Sequence, residues 1–66
     1  MSIGENIKRL RIEKNITQAK LAESVGITQS MICQIERGTK TVTMPLGKQI
    51  SEILECSVED LYNETA

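Results

Sequence analysis

The side chains that could carry chemistry are few, and the missing types narrow the range of activities. Among its 66 residues the chain has no histidine, tryptophan or phenylalanine, and Tyr62 is its one aromatic residue. It therefore lacks the usual general base, the commonest metal ligand and the aromatic platforms on which single-stranded nucleic acids stack. Ser24 has no base to activate it, and no phosphate-binding loop is visible. We expect no enzyme activity, no cofactor and no bound metal ion.

Glutamine is the residue type here with the most specific recognition chemistry. Its amide can make a bidentate hydrogen-bonded contact to N6 and N7 of adenine, and only the major groove of a duplex offers these two atoms together. Gln29 and Gln34 are close in the sequence. Their use as base contacts depends on the element that carries them.

The two cysteines, Cys33 and Cys56, match no zinc-binding spacing and do not suffice for a secreted disulfide scaffold. We expect both thiols to be reduced in a cytoplasmic protein. Cys33 could be a redox sensor or a plain small side chain, and the lack of a histidine favours the second. Cys56 is expected to lie in the core.

Length and hydropathy limit the architecture to one small domain over residues 1–66. A chain of this size buries only about 60% of the surface that its unfolded state exposes, which leaves no room for a separate catalytic domain. The longest unbroken apolar run is Met31-Ile32-Cys33. We therefore expect no membrane span and no signal peptide.

The charge is distributed unevenly although the net charge is only −1. Residues 1–48 carry all eight basic residues against four glutamates, a net charge of +4, whereas residues 49–66 carry five acids and no base. A basic portion can face a phosphate backbone while an acidic portion points away from it. The charge pattern therefore permits binding to nucleic acid.

A recurring pattern marks helix starts: a hydroxyl residue able to cap, an apolar residue before it, and another apolar residue four positions after it. Ser2 and Glu5 have capping-box spacing at a further start, and Asn15 is expected to end that helix in the left-handed conformation. The three full matches are Ile16-Thr17 with Leu21, Ile27-Thr28 with Ile32, and Cys56-Ser57 with Leu61. An all-α fold is predicted, with five helices near residues 3–14, 18–25, 29–37, 44–54 and 58–62.

The start of the fourth helix fits this pattern less completely. Thr43 is predicted to cap it, with Pro45 in the first turn, where the missing N–H costs little. The staple position is Gly47, which lacks an apolar side chain. We expect a loosely packed or frayed beginning there.

Helices two and three are separated only by Gly26-Ile27-Thr28. Gly26 is free to take the positive φ that ends helix two, Thr28 caps helix three, and the small Ala22 lets the two backbones approach. This geometry is that of a helix-turn-helix with its core at residues 17–37. The side chains expected to fill the angle between the helices are Leu21, Val25, Ile32 and Ile35.

The run from Thr17 to Gly38, TQAKLAESVGITQSMICQIERG, resembles the helix-turn-helix of the phage repressor and Cro family, also called the xenobiotic-response-element family of transcriptional regulators. The similarity extends from Ile3 to Leu61. It implies a compact five-helix, lambda-repressor-like domain whose third helix enters the major groove. The chain departs from the family pattern at Val42, Gly47 and Glu55, where proline, leucine and glycine are usual.

The third helix is predicted to carry the contacts to bases. With Ile32 and Ile35 inward, its outward side carries Gln29, Ser30, Cys33, Gln34 and Arg37. Gln29 and Gln34 are our candidates for reading bases on chemical grounds, and the resemblance adds Ser30 to them.

Contacts to phosphates are predicted on both flanks of that helix. Gln18 begins the second helix, whose positive end suits a phosphate, and the family places a glutamine there for this purpose. The residues that follow the third helix and could grip the other flank are Arg37, Lys40, Thr41 and Thr43. The resemblance gives Arg11 and Glu36 a structural role, as an ion pair between helix one and the end of helix three.

Two functions compete. The first is a sequence-specific regulator, a repressor that binds a palindromic double-stranded DNA operator as a homodimer, with the acidic last helix and its Leu61 and Tyr62 as the dimer interface. The second is an antitoxin or protein-interaction module that neutralises a partner protein and binds DNA secondarily. The outward polar side of the third helix could also be a merely solvated surface, but the capped helices and the glycine turn in one register favour DNA binding.

Overall fold

The computed structural model describes residues 2–62, and these form an all-α domain of five helices without a strand. Their bounds are α1 Ile3–Glu13, α2 Gln18–Val25, α3 Gln29–Arg37, α4 Met44–Ile53 and α5 Val58–Tyr62. The predicted fold class and all five helices are confirmed. Helices α1 and α4 end one residue earlier than predicted, because Lys14 and Leu54 are their C-caps.

Local hydrogen bonds begin four of the helices as predicted. At α1 the Ser2 hydroxyl accepts from the backbone N–H of Glu5, and the Glu5 carboxylate accepts from the Ser2 N–H. At α2 and α3 the hydroxyls of Thr17 and Thr28 accept from the N–H groups of Lys20 and Met31, at 3.0 and 3.1 Å. At α5 the Ser57 hydroxyl accepts from the backbone N–H of Asp60, and the Asp60 carboxylate accepts from the Ser57 N–H.

The start of α4 differs from the prediction in two respects. Thr43 is the N-cap residue, but its hydroxyl bonds no N–H of the first turn, and Pro45 removes one of the donors that such a cap uses. The expected loose packing does not extend to Gly47. Gly47 is buried, and the Tyr62 hydroxyl lies 2.7 Å from the place where a Cβ would stand. The missing side chain makes room for this contact between α4 and α5.

The core is aliphatic and draws on every helix. Its fully buried members are Ile7, Leu21, Ala22, Ile32, Ile35, Ile50, Leu54 and Leu61. Helix α3 packs against α1 and α2, whereas α5 packs against α1 and α4. Cys56, expected in the core, is half-buried at its edge. The acidic α5 is thus attached to a different part of the domain from α3.

Leu61 belongs to this core and is completely buried. The side-chain amide of Asn6 on α1 also donates to the Leu61 carbonyl at 2.8 Å. The expectation that Leu61 contributes to a dimer interface is therefore wrong, because the domain itself covers the side chain. Tyr62 remains 37% exposed, and Glu64, another part of the predicted acidic segment, lies outside the described residues.

An unpredicted close approach joins α1 to α3. Gly4 is buried, and a Cβ placed on it would collide with the backbone carbonyl oxygen of Ile35 and lie 3.0 Å from that of Glu36. Only a residue without a side chain allows the start of α1 to lie this close to the last turn of α3. This contact fixes the end of α3 from which Arg37 projects.

Candidate nucleic-acid interface

The turn between α2 and α3 has the geometry that the sequence predicts. Gly26 has a φ of +75°, in the left-handed region, and the Ile27 N–H donates to the Ala22 carbonyl at 3.0 Å. Thr28 then caps α3. The two helices are packed together over Leu21, Ala22 and Ile32. The short connection therefore holds α3 at a fixed angle on the surface.

Helix α3 has one buried side and one polar side. Ile32 and Ile35 are 0% and 1% exposed, which places this side in the core. On the other side Gln29, Ser30 and Gln34 are exposed. Cys33 is half-buried between these residues along the helix surface. Ser30 and Gln34 lie four residues apart on the same side of α3, and Gln29 lies four residues from Cys33, which stands between them around the helix. The three side chains predicted to read bases thus share the exposed part of one helix.

Gln18 lies at the first position of α2 and is half-buried. Its side-chain nitrogen Nε2 donates to the Oε1 atom of Glu36 at 3.0 Å. The Thr17 cap uses the N–H of Lys20, so it leaves the first two N–H groups of α2, those of Gln18 and Ala19, directed out of the helix end. The start of α2 therefore presents open backbone donors, which suit an anion.

The expected ion pair between Arg11 and Glu36 is present and bidentate. Arg11 Nε lies 2.7 Å from Glu36 Oε2, and Arg11 Nη2 lies 3.2 Å from Oε1. The remaining nitrogen Nη1 donates to the carbonyl of Ile16 at 2.8 Å. Both charged side chains are almost completely buried, so each needs the other to offset the cost of leaving water.

The predicted phosphate contacts after α3 are all exposed. Arg37 ends the helix, and Lys40, Thr41 and Thr43 lie in the segment between α3 and α4. Within residues 2–62, neither Arg37 nor Lys40 forms an ion pair. Their charges are therefore available to an external anion.

Several other cations are paired within the domain. Arg9 pairs with Glu13, Lys14 with Glu55 and Lys20 with Glu23, all at the surface. The basic side chains that form no ion pair within residues 2–62 are Lys8, Arg37, Lys40 and Lys48, and two of these four lie at or just after the end of α3.

Neither the thiols nor the acids form a second site. Burial raises the pKa of the Cys56 thiol, the nearby Asp60 carboxylate adds to this effect, and Lys14 opposes it. Among residues 2–62 there is no group of three side chains that could hold a metal ion, and no cavity is present. None of the described helices is long and apolar enough to cross a membrane.

A sequence-family model described as helix-turn-helix matches residues 7–61, which includes α2, the turn and α3. The chain belongs to the Cro/C1-type helix-turn-helix family. The transcriptional regulator SinR of Bacillus licheniformis is 36% identical to it over 63 residues, which are 94% of this chain and 57% of SinR. The antitoxin PezA of Streptococcus pneumoniae is 36% identical over 62 residues, 94% of this chain and 39% of PezA.

Solved structures of this helix-turn-helix family include a close spatial match. The P22 c2 repressor, determined in complex with a synthetic operator, superposes with a TM-score of 0.89 at 30% identity, over 96% of each chain. The domain described here corresponds to a little more than half of the length of SinR and less than half of PezA.

One contact of this helix-turn-helix was not predicted. Gln18 was assigned to a phosphate, and nothing in its neighbourhood along the chain indicates that its amide also bonds Glu36, 18 residues away. The resemblance had assigned Glu36 to Arg11 alone. Only the packing of the start of α2 beside the end of α3 brings the two side chains together.

Proposed function

We propose that this chain is a double-stranded DNA-binding transcriptional regulator that inserts α3 into the major groove. The observation that carries the proposal is the polar side of α3, where Gln29, Ser30 and Gln34 are exposed over a fully buried Ile32 and Ile35. The amides of both glutamines can recognise adenine, and the short Ser30 hydroxyl can hydrogen-bond several bases. The whole of residues 1–66 then acts as one DNA-binding domain.

Phosphate contacts would position that helix without reading sequence. Gln18 and the open N–H groups at the start of α2 are assigned to one flank. The unpaired Arg37 and Lys40, with the hydroxyls of Thr41 and Thr43, are assigned to the other flank. Exposure and free charge support these assignments.

The chain acts as a homodimer on a palindromic operator. One recognition helix reads only a few base pairs, and half-sites of such operators lie about 34–36 Å apart. Each copy carries one α3. Two copies are therefore needed to place a recognition helix in each of two successive major grooves.

We infer repression in the cytoplasm, with no enzyme activity. A bound dimer can block transcription by occupying DNA, and this requires no catalytic group. The similarity to SinR and to the P22 c2 repressor supports a regulatory role.

Binding-site selection from random duplexes tests the proposal directly. The purified chain should enrich a palindrome with adenine-containing half-sites about one helical turn apart, bound with two chains per duplex. The stoichiometry can be measured by light scattering. A selection that enriches no sequence over several rounds, at low salt, would contradict the proposal.

A second candidate is neutralisation of a partner protein, with DNA binding secondary. The similarity to the antitoxin PezA is the observation that favours it. The test is co-expression with the product of the adjacent gene, where that gene encodes a small basic protein. A stoichiometric complex of the two chains, together with no enriched duplex, would favour this function over the first.

A further inference from the structure

A single buried carboxylate connects three helices at the edge of the candidate interface. Glu36, near the end of α3, receives Arg11 of α1 on both of its oxygens and the Gln18 amide of α2 on Oε1. Its side chain is only 3% exposed. The same Arg11 also holds the Ile16 carbonyl, two residues before Gln18. Side chains from both α1 and α3 therefore hold the start of α2 in place.

The Gln18 amide has a second donor beyond the one that Glu36 uses. Its nitrogen Nε2 carries two N–H groups, and one bond, that to Glu36, is formed by the side chain among residues 2–62. The nitrogen must face the carboxylate, because the amide oxygen would meet another electron-rich oxygen there. The orientation of the amide is thus determined before any ligand binds.

We propose that Glu36 is a positioning residue for DNA binding: it holds one N–H of the Gln18 amide so that the other N–H is aimed, with the backbone N–H of Gln18, at a DNA phosphate. This inference rests on the proposed function and adds a residue that never touches DNA. It makes the phosphate anchor on α2 and the recognition helix α3 parts of one rigid unit, since Glu36 belongs to α3.

Among side chains of this length, an amide meets both requirements. A glutamate at position 18 would repel both the Glu36 carboxylate and a phosphate, and a methionine would keep the length but donate to neither. Glu36 itself carries a negative charge close to the proposed phosphate. The bidentate Arg11 offsets that charge, so it does not repel the DNA backbone.

An NMR titration of the unmodified chain tests the geometry. The two Nε2 protons of Gln18 should differ in the free chain, with one shifted away from the values of the exposed Gln49. A 20-base-pair mixed-sequence duplex at low salt, and the selected operator duplex, should each move the other proton along with the α3 amides. If the α3 amides respond but neither Gln18 proton moves, or both take the values of Gln49, the positioning role is overturned.

Variants give the energetic test. Q18M should weaken binding by about tenfold, equally for the mixed-sequence and the selected duplex, because phosphates carry no sequence information. Q49M, the same change at an exposed glutamine of α4, should leave the affinity unchanged. Equal affinities of Q18M and Q49M would overturn the inference.

A double-mutant cycle isolates Glu36. E36Q should weaken binding in the parent chain and cause no further loss in the Q18M background, because its effect passes through the Gln18 amide. Equal losses in both backgrounds would show that Glu36 acts independently of the Gln18 amide, and would overturn the inference. The NMR titration uses the unmodified chain, so it tests the inference even where E36Q fails to fold.

If neither duplex moves any α3 resonance in that titration, the proposed function itself fails, and this inference fails with it.

Discussion

The single residues of the candidate interface are mostly neutral amides and hydroxyls. Gln29, Ser30 and Gln34 remain hydrated when the chain is free and can exchange water for base edges when it is bound. Their buried neighbours Ile32 and Ile35 are apolar, and this contrast determines which side of the helix faces the solvent. Specificity is therefore expected to depend on very few side chains.

The first residue-scale prediction concerns base discrimination. Q29A and Q34A should each lose about 1–3 kcal/mol of preference for the selected operator over a mixed-sequence duplex, since each removes one bidentate contact. Competition binding by fluorescence anisotropy measures this preference. Q49A is the matched control and should retain the parent's preference. Retention by both α3 variants would show that α3 does not read the bases.

The second residue-scale prediction concerns pH. The Ser2 backbone N–H, followed by the Ser2 hydroxyl, holds the pKa of the Glu5 carboxyl below its usual range. A carboxyl whose pKa is lower in the folded chain stabilises the fold above its ordinary pKa, and this contribution is lost as the pH falls through the lowered value. E5Q should therefore be less stable than the parent near neutral pH, and the two should converge in acid.

Chemical unfolding at a series of pH values checks this expectation. E52Q, a change at an exposed acid of α4 with no ion pair in the described part of the chain, is the control. A constant difference between E5Q and the parent at every pH would contradict the prediction.

At the scale of elements, local caps begin the helices and close contacts set the angles between them. Gly4 and Gly47 occupy places where a neighbouring element leaves no room for a Cβ. Left-handed residues follow four of the helices, and among these Gly26 adopts the conformation without strain, whereas Glu55 does so at a φ of +56°. Among these positions, Gly4 and Gly26 set how α3 lies against α1 and α2.

The first prediction at this scale is that G4A destabilises the fold by about 1–3 kcal/mol through overpacking against α3. Alanine is a better helix former than glycine by up to about 1 kcal/mol, which would stabilise the variant. A net loss of stability therefore shows that the clash with α3 outweighs this gain. Urea unfolding gives the difference. G38A, at a left-handed glycine with open space around it, should cost only about 1–2 kcal/mol, from backbone strain. A stabilised G4A would mean that α1 and α3 are not in backbone contact.

The second prediction at this scale is that E55G stabilises the fold by about 1 kcal/mol, because glycine removes the left-handed strain after α4. The substitution also removes the exposed ion pair between Glu55 and Lys14, which contributes about 0–1 kcal/mol. E55A separates the two effects, since it loses the pair and keeps the strain. Thermal unfolding should rank E55G above the parent and E55A at or below it. Equal stability of E55G and E55A would rule out the strain.

The whole molecule is polarised in charge. The unpaired Arg37 ends α3 and Lys40 follows it, whereas the acids Glu59 and Asp60 lie on α5, which packs on α1 and α4. Paired surface cations contribute little to the external field at physiological salt. A polyanion is therefore expected to meet the α3 side of the domain despite the net charge of −1.

The prediction at this scale is that R37A and K40A each weaken binding to all duplexes, and each lowers the slope of log affinity against log salt by about 0.9. K14A changes the net charge by the same amount, but its cation pairs with Glu55, so it should leave the slope nearly unchanged. Filter binding between low and moderate salt measures these slopes. Equal slopes for K14A and R37A would show that net charge alone governs binding.

The sequence by itself determined the helix boundaries to within one residue, four of the five predicted first-turn caps and the turn at Gly26. These depend on hydrogen bonds and side chains within about four residues, so spacing is enough to predict them. The pair formed by Arg11 and Glu36 came from the family resemblance rather than from spacing.

Only the tertiary structure decided the burial of Leu61, the contacts of Gly4 and Gly47 and the bond from Gln18 to Glu36. Each joins residues that are distant in the chain. Local hydrogen-bonding patterns carry no information on which side chains the packing of five helices brings together. The structure therefore shows two things that the sequence did not: the Gln18 amide has a fixed orientation, and Leu61 is not on the surface.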